Sequence, residues 1–135
     1  MSPSQLTPEQ KTSRIQEWQA AVNAAMNDAQ QWSEQEGWLV RREEKTAHEE
    51  LLGDYVVPML HIRVSDGELL VNPVGLHVIG ADGRVDLEGW PSLNRVKLIR
   101  RQGQWQLFTD SNVPLRRPWT KETFAELAKD LVAAS

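Results

Sequence analysis

The sequence predicts an α+β domain: a long N-terminal helix and a short C-terminal helix packed on a meandering antiparallel sheet of five to seven strands. Three observations predict it. An apolar stripe at helical spacing runs from Ile15 to Trp32, and a shorter one runs from Phe124 to Leu131. Between them the period drops to two, and Gly-containing dipeptides punctuate the pattern at hairpin intervals. Strands gathered in one block, with helices before and after, make an α+β layer and not an alternating parallel sheet.

The bulk properties fit one such layer. At 135 residues, with 40% hydrophobic and 25% charged side chains, the chain matches a single domain over 1–135, with residues 1–6 expected to be flexible. There is no cysteine, which excludes a disulfide framework, a thiolate zinc site, an iron–sulfur cluster and a cysteine nucleophile. The opening MSPSQLTPEQKTSR lacks the charged-then-apolar pattern of a signal peptide, and apolar runs such as YVVPML are only a few residues long. A cytoplasmic location without membrane association is therefore expected.

The first helix has a clear start. Thr7 is the expected N-cap, Pro8 takes the first helical position, and Gln10 three residues after the cap completes a capping-box pattern. Ile15, Trp18, Val22, Ala25, Ala29 and Trp32 then recur every three or four residues, and Gly37 ends the run. About 28 helical residues span ~42 Å, longer than one face of so small a globule requires, so part of the helix is expected to project.

After Gly37 come the strands. WLVRREEKTA (38–47) reads as an edge strand whose charges oppose edge-to-edge pairing. HEELLGD (48–54) reads as a loop or helical turn. YVVPMLHIRV (55–64) alternates Val56, Pro58, Leu60, Ile62 and Val64 against His61 and Arg63, with Pro58 marking a bulge or an edge. Three two-residue turns are then expected, at Asp66-Gly67, Asp82-Gly83 and Gln102-Gly103. The first would set Val64 opposite Leu69 and His61 opposite Asn72. The last would set Arg100 opposite Trp105, Leu98 opposite Leu107 and Lys97 opposite Phe108. In the closing RRPWTKETFAELAKDLVAAS, Thr120 is the expected N-cap of a helix whose stripe is Phe124, Leu127, Ala128 and Leu131. This element order resembles the layout of cystatin-like and helix-grip folds, without a motif that transfers any site residue.

Charge is the main functional signal. Net charge is −4, yet residues 91–121 hold seven basic side chains against one acid, Asp110. Period two places Val96, Leu98, Arg100, Trp105 and Leu107 on the core face, with Arg100 expected to cover the Trp105 ring. Arg95, Lys97, Ile99, Arg101, Gln104, Gln106 and Phe108 fall on the opposite face. The candidate binding residues are accordingly Arg95, Lys97, Arg101, Arg116 and Arg117, with Trp90 and Trp119 from the two Trp-Pro segments. Those two segments either wedge their rings against the domain or form a docking pocket together.

Other chemistry finds little purchase. His48, His61 and His77 have no metal-ligand spacing, and no metal or cofactor is expected. Asp86 and Glu88 share a strand face at the spacing of an ordinary exposed pair, while Asp66, Asp82 and Asp110 suit turns. No nucleophile elbow, glycine-rich phosphate loop or RNA-binding motif occurs, and nucleic acid is disfavoured by the overall acidity. The expected function is a small non-catalytic binding or protein-interaction module that engages an acidic protein or a small anion through a basic strand face. The alternatives are a small enzyme or ligand-binding protein with a pocket between the long helix and the sheet, lined by His61 or His77 with Asp54, Asp86 or Glu88, and a self-associating structural protein, such as a homodimer.

Overall fold

A computed structural model describes residues 6–65, 67–76, 82–109 and 116–133. Helix α1 covers Pro8–Gln35, and its capping box is formed: Gln10 N donates to Thr7 Oγ1 (3.1 Å) and Thr7 N donates to Gln10 Oε1 (2.9 Å). The stripe buries Trp18, Val22, Ala25, Met26, Ala29 and Ser33, whereas residues 8–14 are exposed, although Leu6 and Ile15 on either side of them pack against the core. Gly37, at φ 80°, supplies the left-handed residue that stops the helix.

Seven antiparallel strands follow in simple meander order: β1 (Leu39–Glu49), β2 (Gly53–Val64), β3 (Gly67–Gly75), β4 (Gly83–Trp90), β5 (Arg95–Arg101), β6 (Gln104–Thr109) and β7 (Arg116–Pro118). Helix α2 (Lys121–Val132) starts at Thr120, whose hydroxyl accepts from Thr123 N (3.3 Å). Both helices cover one face, where Leu60, Ile62, Val64, Leu69, Val71, Val85, Leu87, Leu98 and Leu107 are buried. Trp32 packs on Trp119 (4.9 Å) and Phe124 (5.8 Å), with Trp38 beyond Phe124 (6.4 Å). These rings join the end of α1, the approach to β1 and the start of α2. Among the described residues no helix is long and apolar enough to cross a membrane.

The expected register holds at one turn and shifts at another. Gln102 and Gly103 have φ of 52° and 78°, the twist a two-residue hairpin needs, and Arg100 faces Trp105 as expected. At the β2–β3 turn, Val64 instead faces Gly67, so Leu69 faces Ile62 and His61 faces Leu70, not Asn72. The positive φ falls on Ser65, at 54°, while Asp66 lies outside the described residues. Gly67 belongs to the strand because α2 comes too close for a side chain: a Cβ there would lie 2.6 Å from Val132 Cβ.

The Asp82-Gly83 expectation is also corrected. Gly83 already faces Arg100 in β4, and Gly75 at the end of β3 faces Arg84, so the connection is longer than two residues. Its residues 77–81, His77 among them, lie outside the described residues. Gly83 is glycine because Trp18 packs on it, with Cζ3 2.2 Å from where a Cβ would be. HEELLGD is the end of β1, a turn and the start of β2: Glu49 faces Gly53.

Pro58 breaks the expected alternation in β2. Pairing with β3 reaches only Leu60, and beyond it the β1–β2 arm continues alone. Leu60, Ile62 and Val64 are buried on the even side; past Pro58 the odd residues Tyr55 and Val57 are buried and Val56 is exposed. A proline has no N–H to give to a neighbouring strand, so the ladder ends here. Tyr55 Oη donates to Glu49, which also accepts from Leu76 N (3.2 Å), fastening the arm to the end of β3.

Candidate binding face

The face of the sheet away from the helices is polar, and its two halves differ. On β4, Asp86 is 4% exposed although no helix covers it. Long side chains bury it: Arg84 Nε and Nη2 donate to its two carboxylate oxygens (2.7 and 3.0 Å), and Arg95 Nη1 stands 3.7 Å away. Lys45 Nζ donates to Asn72 Oδ1 (2.6 Å) on the same face. Partial burial lowers the Lys45 pKa, and the charges of Asp86 and Glu88 oppose that shift. Cation and carboxylate are balanced in this half.

On β5 to β7 they are not. Pairing sets Lys97 opposite Phe108 and Phe108 opposite Arg116, one row across three strands. With strands ~4.8 Å apart, the two ends of that row are ~10 Å apart at the backbone. The Arg101 guanidinium lies over the Phe108 ring, 5.2 Å from its centroid. Among the described residues no carboxylate comes within ion-pair distance of Lys97, Arg101 or Arg116. Three cations thus surround one half-buried ring.

The remaining sequence candidates go elsewhere. Arg95 shares the face, two residues from Lys97, but is turned to Asp86. Arg117 points to the helix side, where Nη2 donates to Glu126 Oε2 (2.9 Å). That contact raises the Arg117 pKa and lowers the Glu126 pKa. Trp119 lies in the aromatic cluster before α2, whereas Trp90 ends β4, 60% exposed, near the other end of α2. The two Trp-Pro segments therefore do not form one docking pocket. Arg100 stands opposite Trp105, with Nη1 reaching Glu17 of α1 (3.8 Å), and Trp105 packs on Trp18 (5.9 Å).

Of the residues proposed for a catalytic pocket, His77 lies outside the described residues, and His61 and Glu88 share one row across β2 to β4 with Leu70 between them. His61 Nε2 lies 3.0 Å from Glu43 Oε1, a contact that lowers the Glu43 pKa, and His48 pairs with Asp54 (2.5 Å) at the tip of the arm. Asp86 is enclosed by arginines two strands from His61. Among the described residues no three His, Asp or Glu gather as a metal site.

Sequence reasoning missed the part played by Phe108. Its parity already placed it with Lys97 and Arg101, but a lone aromatic on a polar face reads as incidental until the third strand brings Arg116 beside it. Comparison with family models, with curated proteins and with solved structures finds no match to this chain. The likeness to cystatin-like and helix-grip folds rests on element order alone.

Proposed function

We propose that the protein is a non-catalytic binding module that engages an acidic protein segment through the helix-free face of β5 to β7. One observation carries the reading: Lys97, Arg101 and Arg116 gather around Phe108 with no carboxylate partner among the described residues. Uncompensated like charges repel one another in the free protein, and an acidic ligand relieves that repulsion. The span of ~10 Å from Lys97 to Arg116 suits an extended segment with several carboxylates better than a single small anion. Phe108 supplies an apolar contact between the charges, so recognition combines steering with a fixed anchor.

The test is titration of the protein into a fluorescein-labelled polyglutamate peptide, read as anisotropy. Saturable binding that weakens with added salt is expected, together with a loss of at least about tenfold in K97E/R101E/R116E. Equal binding by that variant overturns the proposal. A labelled single-stranded oligonucleotide is the comparator; binding tighter than to polyglutamate would replace the acidic-segment reading with a nucleic-acid one.

A further inference from the structure

The other half of the helix-free face, β1 to β4, carries a pattern that does not depend on the basic residues. The register sets Leu39 opposite Arg63, Arg63 opposite Glu68 and Glu68 opposite Trp90, one row across four strands. Alternation keeps the row on this face: Val40, Ile62 and Leu69 next to it pack in the core, and a Cβ on Gly89 would point at Leu131 of α2. Leu39 is 74% and Trp90 60% exposed, and between them Arg63 and Glu68 stand 3.5 Å apart with more than half of each side chain in solvent.

Either apolar residue alone would be unremarked on a protein surface; their order with the charges is what matters. From β1 to β4 the row reads apolar, cation, anion, apolar, so the same row turned end for end sets apolar against apolar and each charge against its opposite. A two-fold axis running along the strands between β2 and β3 makes that reversal, laying β1 over the partner's β4 and β2 over the partner's β3. The next row, Arg41, His61, Leu70 and Glu88, repeats the match: Arg41 meets the partner's Glu88, and His61 the partner's Leu70. In the third row Glu43 would meet the partner's Asp86, which ends the complementarity; both carboxylates already have a cation in their own copy.

We infer that two copies of this chain pack face to face through these two rows, with Leu39 on the partner's Trp90 and Arg63 beside the partner's Glu68, each contact made twice. Arg63 and Glu68 of both copies then form a ring of four alternating charges, and a Leu–Trp contact on each side of the ring keeps water from it. Strands β5 to β7 lie beyond the overlap, so the basic residues around Phe108 stay open to an acidic segment.

Sedimentation equilibrium of the full chain reads the monomer–dimer balance. The wild type is expected to dimerise below ~1 mM, and L39S/W90S to weaken the dimer at least about tenfold with an unchanged circular dichroism spectrum, since both side chains are exposed. R63E and E68R each put like charges in the ring, and each variant alone is expected to stay monomeric. Mixed in equal amounts they are expected to form a one-to-one dimer, because each supplies the charge the other lacks. A wild type that is monomeric at ~1 mM, a dimer left intact by L39S/W90S, a dimer of either charge variant alone, or no dimer in their mixture overturns the inference. K97E/R101E/R116E should dimerise as the wild type does, and L39S/W90S should bind polyglutamate as the wild type does, which keeps this test separate from that of the basic face.

Discussion

A side chain at Gly89 would put its Cβ 2.0 Å from the carbonyl oxygen of Leu131. The obstruction is backbone, so no rotamer change in a neighbour relieves it, and Ser92 Oγ donates to that same oxygen. Helix α2 can lie so close to β4 only because residue 89 has no side chain. Gly89→Ala is expected to cost about 3 kcal/mol by pushing α2 off the sheet. In urea unfolding followed by circular dichroism, the midpoint should fall while the slope is unchanged. A wild-type midpoint would show that α2 shifts without cost.

Asp86 holds the helix-free face together. Its carboxylate is buried, bound by Arg84 and 3.7 Å from Arg95 Nη1, so removing it takes away the charge that the two guanidiniums share. Asp86→Ala is expected to destabilise by about 3 kcal/mol. Adding Arg84→Met should recover part of that loss, giving a coupling of about 1–2 kcal/mol in a double-mutant cycle. Additive losses would show that Arg84 and Asp86 stand side by side without supporting each other.

Trp18 closes the core from the helix side, fully buried, stacked on Gly83 and next to Trp105. Trp18→Ala opens a cavity the size of an indole and is expected to cost about 3–5 kcal/mol. Trp18→Phe should cost clearly less, because a phenyl ring keeps an aromatic side chain packed on Gly83 and leaves a smaller cavity. Equal losses for the two variants would contradict that reasoning. Thermal unfolding of both proteins decides it.

What the sequence revealed, and what it hid, follows the range of the interactions. The capping box at Thr7 and Gln10, the stop at Gly37 and the Gln102-Gly103 turn are local, and each forms as read. Gly67 and Gly83 look like turn residues in the sequence because the reason for glycine there lies across the fold, in Val132 and Trp18. The change of buried side in β2 is likewise hidden: Pro58 marks an interruption, but not that pairing with β3 stops at Leu60. In the candidate site, period two and one firm turn separated Lys97 and Arg101 from Trp105. Arg117 and Trp119 are not separable from them in the sequence, because β7, three residues long, is too short to show its own alternation and gives no hint that Glu126 and Trp32 stand nearby.

Tyr55 should limit stability in alkali. Burial raises its pKa above the ordinary tyrosine value, and the hydrogen bond to the Glu49 carboxylate raises it further, since phenolate beside carboxylate is doubly unfavourable. In the unfolded chain the phenol ionises near pH 10. Above that pH the folded protein binds more protons than the unfolded one, so stability present below about pH 10 is lost as pH rises further. Tyr55→Phe should be less stable than the wild type at neutral pH, because Glu49 loses a donor, and should lose less stability between about pH 10 and 11.5. Urea unfolding across that range, followed by circular dichroism, should therefore show the two proteins converging as pH rises. Parallel curves would mean that the phenol ionises as readily in the folded chain as in the unfolded one and that the arm is not fastened through Tyr55.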